Sequence, residues 1–269
     1  MGLNNNFLQG AALILGASSG FGGACSVTLA RCGMDVFGVH LDRKSTLSNV
    51  EALSAEIGKA GRKAHFFNVN AADAEKRKEV LETIQKECEG PFPVRILVHS
   101  LAFGTLKSFI APTEQGTLSQ PQMQMTLDVM AHSLVYWVQD LVRSQLMGKG
   151  GRVFAMTSEG GRRVWESYGA VSAAKSALES HVRQLAVELA PYEITVNALC
   201  AGVTDTPALR KIPGHETMIQ SARTGNPMGR LTTPADVAGA IALLAHPMAG
   251  FITGNVINVD GGESISGRA

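Results

Sequence analysis

The residues best suited to move a proton in this chain are a phenol and an amine. Tyr168 stands seven residues before Lys175. Almost two turns of helix would put both side chains on one face. An ammonium beside a phenol favours phenolate, which makes the phenol a better proton donor and acceptor near neutral pH. The other two tyrosines, Tyr136 and Tyr192, have no lysine at that spacing. A helix with one buried Tyr and one surface Lys shows the same pattern without chemistry. The pair therefore needs a site around it.

A glycine loop supplies the second half of such a site. Gly16-Ala-Ser-Ser-Gly20-Phe-Gly22-Gly23 follows an apolar run and opens into an amphipathic one. One glycine allows the tight turn, another lets the backbone approach a pyrophosphate, and a third lets helix and strand pack closely. The helix N-terminus then offers free N–H groups and a positive dipole end to phosphate. Ser18 and Ser19 add hydroxyls. No Gly-Lys-Ser/Thr follows, so the loop does not match a nucleotide-hydrolase pattern. Asp42 lies twenty residues beyond Gly22, a distance suited to a ribose 2′-OH and to NADH. Arg43 and Lys44 suit a 2′-phosphate and NADPH.

Short apolar runs alternate with helical stretches from end to end. Strands are expected at Ala11–Leu15, Asp35–His40, Ala64–Val69, Arg95–Ser100, Gly151–Thr157, Ile194–Leu199 and Asn255–Val259. Helices are expected at Gly20–Arg31, Leu47–Lys59, Ala74–Cys88, Pro121–Met147, Ser167–Leu189 and Pro234–Leu244. This alternation demands crossovers and a parallel sheet. The expected fold is a doubly wound (Rossmann) α/β sheet of about seven parallel strands with helices on both faces. No linker or repeat divides residues 1–269, so one domain is expected. Residues 204–228 hold Pro207, Pro213, Gly214, Gly225 and Pro227. By position they read as a lid over the strand ends, or else as a solvated loop with a short helix.

The glycine spacing resembles that of the short-chain dehydrogenase/reductases. So do Leu97-Val-His-Ser-Leu-Ala-Phe103, Asn197-Ala-Leu-Cys-Ala-Gly202 and Val259-Asp-Gly-Gly262. Most members of that family place Tyr four residues before Lys, where this chain has Val171. Their catalytic Ser lies thirteen residues earlier, at Ser158 here. Tyr-x6-Lys, His99-Ser100 with Phe103, Met130 in the family's Asn slot and Ala201-Gly202 all resemble the enoyl-acyl-carrier-protein reductases. Ser158 and Asp205-Thr206 bring it nearest the FabL-like kind. The resemblance implies reduction of trans-2-enoyl thioesters on acyl carrier protein in fatty-acid synthesis. Tyr168, Lys175 and Ser158 would be catalytic. It implies cofactor contacts from Gly16, Ser18, Ser19, Gly20, Phe21, Gly22, Asp42, Arg43, Asn68, Val69, Ser100, Leu101, Ala102, Lys175, Gly202, Val203 and Thr206. It leans to NADPH over NADH and to a homotetramer. The shifted Tyr makes physical sense. Hydride goes to the β-carbon of an enoyl thioester, and charge develops on a remote oxygen. A backbone shift of three helical residues moves the phenol by about 4.5 Å. The alternatives are an alcohol or ketone dehydrogenase and a cofactor-binding protein without catalysis.

Other readings narrow the setting. Of the 269 residues 45% are hydrophobic and the net charge is +1, which argues against nucleic acid or an anionic membrane as partner. Cys25, Cys32, Cys88 and Cys200 show no metal spacing, so no metal is expected. Scattered thiols suggest a reducing compartment, the cytoplasm. The opening Met1–Phe7 reads as neither a secretory signal nor, with Asn6, an acylation site. Phe103, Trp165 and Met218 are expected along an acyl channel. His99 is expected as a packed, hydrogen-bonded group. Thr206 would meet the nicotinamide or cap a helix.

Overall fold

The computed structural model describes residues 7–267; Asn6, read above for acylation, lies outside them. The strands are β1 (Ala11–Leu15), β2 (Asp35–His40), β3 (Ala64–Asn68), β4 (Val94–His99), β5 (Arg152–Ser158), β6 (Thr195–Ala201) and β7 (Val256–Val259). They form a parallel sheet in the order β3-β2-β1-β4-β5-β6-β7. The order reverses between β1 and β4. The two outgoing chains diverge there and leave a crevice at the carboxyl ends of the strands.

Alternate residues of each strand feed two cores. On β1, Ala12 and Ile14 pack on one face with Cys25 and Leu29 of α1 (Gly20–Arg31), Ile57 of α2 (Leu47–Lys59) and Ile241 of α8 (Pro234–Ala245). Leu13 and Leu15 pack on the other with Ile84 of α3 (Ala74–Glu87), Trp137 of α5 (Ser133–Arg143) and Leu178 of α6 (Gly169–Glu188). A parallel sheet covered on both faces reads as continuous apolar runs, as these strands do. Helix starts carry their expected signals: Thr233, Pro234 and Asp236 make a capping box for α8, and Ser119, Pro121 and Gln122 one for α4 (Gln120–Leu127).

Two expected helices differ in ways that bear on the site. The stretch 121–147 is not one helix. A π-helical turn, Asp128–His132, separates α4 from α5, and the chain leaves the helix after Arg143. Ser133 Oγ donates to Val129 O at 2.8 Å, a side-chain bond that competes with regular helix. The same oxygen lies 2.8 Å from His99 Nε2. Helix α6 begins at Gly169 rather than Ser167. Ser167 is left-handed at φ 59°, and Tyr168 caps the helix, its carbonyl accepting Ser172 N–H at 2.8 Å. The 204–228 segment holds α7 (His215–Gly225) after a short turn at Leu209–Lys211.

Candidate active site

A cavity of about 1240 Å³ opens at the carboxyl ends of the strands. The glycine loop forms one wall. Gly16 has φ 85°, and a Cβ there would overlap Ser100 O at the end of β4. A Cβ on Gly22 would overlap Gly16 O, so Gly22 serves the close approach of α1 to β1. It does so without lining the cavity. Ser19 caps α1 through its backbone alone, and no acidic side chain occupies the first turn. Ser19, Gly20 and Phe21 at this helix start line the cavity, and a helix N-terminus of this kind suits an anion.

At the far end of the loop, the Asp42 carboxylate lies 2.9 Å from His40 Nδ1 and accepts Thr46 Oγ1 at 2.6 Å. Burial alone would raise its pKa, but hydrogen bonds from Ser18, Thr46 and His40 outweigh burial and hold it below the usual carboxylate value. Asn68 braces this corner from behind. Its side chain pairs with both the N–H and the C=O of Asp42, at 2.9 and 3.1 Å. Asn68 is not among the residues that line the cavity; Val69, just past the end of β3, is. Arg43 lines the cavity with its side chain exposed.

Ser158, Tyr168 and Lys175 meet at the other end of the cavity, with Val171 buried beside them. Lys175 Nζ donates to Met156 O at 2.6 Å. Burial lowers its pKa to about 8, with Cys200 and Glu179 pulling the other way. Ser158 Oγ is buried without a partner of proper geometry, yet it is close enough to the Tyr168 phenol to favour phenolate. Burial outweighs that pull and leaves the phenol above its ordinary pKa. The lysine's expected activation of the phenol toward phenolate is therefore not the net result. Burial keeps Tyr168 neutral and a proton donor. An orphaned hydroxyl beside a buried phenol is the mark of a missing acceptor or donor from a ligand.

Leu101, Ala102 and Ser100 continue the wall from β4, and Gly202 and Val203 from β6. Phe103, Trp165 and Met218 line the cavity as expected, along with Met125, Met130 and Ile212. Thr206 lines the cavity beside Gly20, and its hydroxyl accepts Leu209 N–H at 3.2 Å, although Ala208 rather than Thr206 is the N-cap of the short turn at Leu209–Lys211. His99 is fully buried. Since Ser133 Oγ spends its proton on Val129 O, His99 Nε2 must be the donor between them. Burial and then the Lys175 charge lower its pKa to about 3, so it is a neutral packed group. Two carboxylates escaped the sequence reading. Glu179 is buried one turn after Lys175 and accepts Thr157 Oγ1 at 2.8 Å. Glu263 accepts Val203 N–H at 3.2 Å. Glu179 was open to discovery from its spacing; Glu263 had no local signal. Among the described residues no cluster could hold a metal ion, and no helix is long and apolar enough to cross a membrane.

A glycine turn at a helix N-terminus, a carboxylate at the end of the second strand and a Ser-Tyr-Lys group line one crevice, the arrangement of a nicotinamide-dependent oxidoreductase. The family model described as Enoyl-(Acyl carrier protein) reductase matches residues 16–264, and the chain belongs to the short-chain dehydrogenase/reductases, resembling their enoyl-acyl-carrier-protein reductases. It is 30% identical over 255 residues to 1-cyclohexenylcarbonyl-CoA reductase of Streptomyces collinus, covering 94% of this chain and 86% of that one. It is 28% identical over 271 residues to cyclohexanol dehydrogenase of Rhodococcus sp., covering 95% and 96%. The solved enoyl-[acyl-carrier-protein] reductase (NADH) of Aquifex aeolicus superposes with a TM-score of 0.82 at 25% identity, over 97% of this chain and 99% of that one.

Proposed function

We propose that the protein reduces the trans-2 double bond of enoyl thioesters, carried on acyl carrier protein, in cytoplasmic fatty-acid synthesis. The supporting observation is the position of the acid. Val171 fills the place from which a tyrosine protonates a carbonyl at the hydride-accepting carbon. Tyr168, one turn earlier, reaches the same cavity beside Ser158. The glycine cradle, the free α1 N-terminus, Asp42 and the orphaned Ser158 hydroxyl all fit a nicotinamide dinucleotide.

Bound in the cavity, that cofactor would supply hydride to the β-carbon. The chain does the rest. Tyr168 Oη keeps its proton and donates a hydrogen bond to the thioester oxygen as negative charge grows there, and the enolate then takes a proton from solvent at the α-carbon. Ser158 Oγ offers a second hydrogen bond to the same oxygen. Lys175 Nζ, fixed to Met156 O, keeps two N–H groups for the ribose and the phenol. Phe103, Trp165, Met218 and Ile212 exclude water and take the acyl chain. The 204–228 segment is the proposed lid over that channel. Homotetramer assembly is proposed through α5 and α6, whose outer faces leave Tyr136 and Val187 exposed.

Oxidation of NADH driven by crotonyl-thioester is the direct test. Turnover of ketones or alcohols with no enoyl turnover would reject the assignment in favour of an alcohol dehydrogenase. Binding without any turnover would leave a silent cofactor protein.

On the cofactor, the geometry supports NADH over the NADPH suggested by resemblance. Asp42 is ionised and pinned by His40, Thr46 and Asn68, so a 2′-phosphate would meet a fixed negative charge. We expect kcat/KM for NADH to exceed that for NADPH at least about tenfold, and Asp42→Ala to narrow the gap. A natural preference for NADPH would refute this.

The lysine sets the alkaline limb. Its ammonium is present below a pKa of about 8 and lost above it. Activity should therefore fall as pH rises through about 8, while Tyr168, raised above its ordinary value, stays protonated there. A pH profile of kcat/KM flat beyond pH 9 would show that the lysine charge is not required.

A further inference from the structure

The cavity wall contains a carboxylate that the proposed reaction does not use. Glu263 begins a short turn, Glu263–Ile265, just past β7. Gly261 and Gly262 are left-handed, at φ 63° and 84°, and bring the chain back across the end of β6. Asp260 accepts Gly262 N–H and Ser264 N–H, each at 2.9 Å, and so fixes the turn. Both Glu263 oxygens then lie 3.2 Å from Val203 N. Gly202 makes room: a Cβ there would stand 2.8 Å from Glu263 Oε2. Phosphates and ribose belong at the glycine loop and Asp42, so the reactive ring must reach Tyr168 and Ser158. Gly202, Val203 and Glu263 line the same cavity.

We propose that Glu263 is a binding residue for the nicotinamide end of the cofactor and discriminates by charge, holding the oxidised ring more tightly than the reduced one. The assignment rests on the nicotinamide reading of the cavity. The oxidised ring carries a positive charge and the reduced ring none, so a nearby carboxylate favours only the first. The carboxylate is half-buried, where screening is weaker than in water. Among the charges acting on it Asp260 is negative and Arg163 positive, and burial pushes the carboxyl above its ordinary pKa. Stabilising the oxidised form makes the bound reduced form a stronger hydride donor.

The test is the pair of dissociation constants for NAD⁺ and NADH, by fluorescence and calorimetry at pH 8. Glu263→Gln keeps an acceptor for Val203 N–H and removes the charge. NAD⁺ should bind about 3–10-fold more weakly while NADH changes less than about twofold. Equal weakening of both would mean a structural role, and equal tightening would mean a plug over Val203; either overturns the proposal, as does no change. If the Gln variant fails to fold, Glu263→Asp decides: it retains the charge and should retain the preference for NAD⁺, and its loss there counts against the proposal. An unaltered protein that binds neither cofactor would sink the nicotinamide reading itself.

Discussion

Tyr168→Phe is expected to lower kcat/KM for an enoyl thioester by about 10²–10⁴-fold, the range for removal of a positioned acid. The affinity for NADH should change by less than about twofold. The two effects separate because the ring and its hydroxyl do different things. The ring packs over Gly160, where a Cβ would overlap it, and Phe keeps that contact. Only the hydroxyl is lost, and burial keeps it protonated, so the variant lacks a donor rather than a base. The loss should fall on kcat more than on KM, since the hydrogen bond strengthens as charge moves to the thioester oxygen. Steady-state kinetics with a crotonyl thioester measure it. A Phe variant with near-normal kcat would remove Tyr168 from the chemistry.

Gly22→Ala is expected to lower affinity for the cofactor more than about 100-fold and the melting temperature by roughly 3–10 °C, the scale of an overpacked core site. The added methyl would overlap Gly16 O. Backbone blocks backbone, so no rotamer change relieves it; α1 must move away from β1. That movement displaces the N–H groups that form the phosphate site. Gly58→Ala is the control, because nothing lies within 4 Å of a Cβ there. A helix gains about 0.5–1 kcal/mol from that change. Equal behaviour of the two variants in thermal melts and NADH titrations would show that the close helix-strand approach is not what the loop requires.

The strand-helix alternation, the two-faced core and the phosphate turn were all legible because each is local. Apolar runs, glycine spacing and capping residues act over a few positions. Helix ends were less legible. The π-helical turn at Asp128–His132 runs into Ser133, whose hydroxyl bonds Val129 O and also meets His99, 34 residues away in the chain. Nothing local at 128–132 announces it. The start of α6 shifted for a related reason: Ser167 is left-handed, and Tyr168 is held over Gly160 rather than wound into the helix.

The chain's own order of residues determined the seven parallel strands, the doubly wound sheet, and the identity of the phenol and amine. These follow from periodicity and from the handedness of crossovers. Only tertiary structure decided which groups are charged and which are free. Burial moved Tyr168 up and Lys175 down, Asn68 was paired with the Asp42 backbone, and Glu263 was brought onto Val203 N–H. Solvation and pairing are properties of three-dimensional neighbours, and sequence distance carries no information about them.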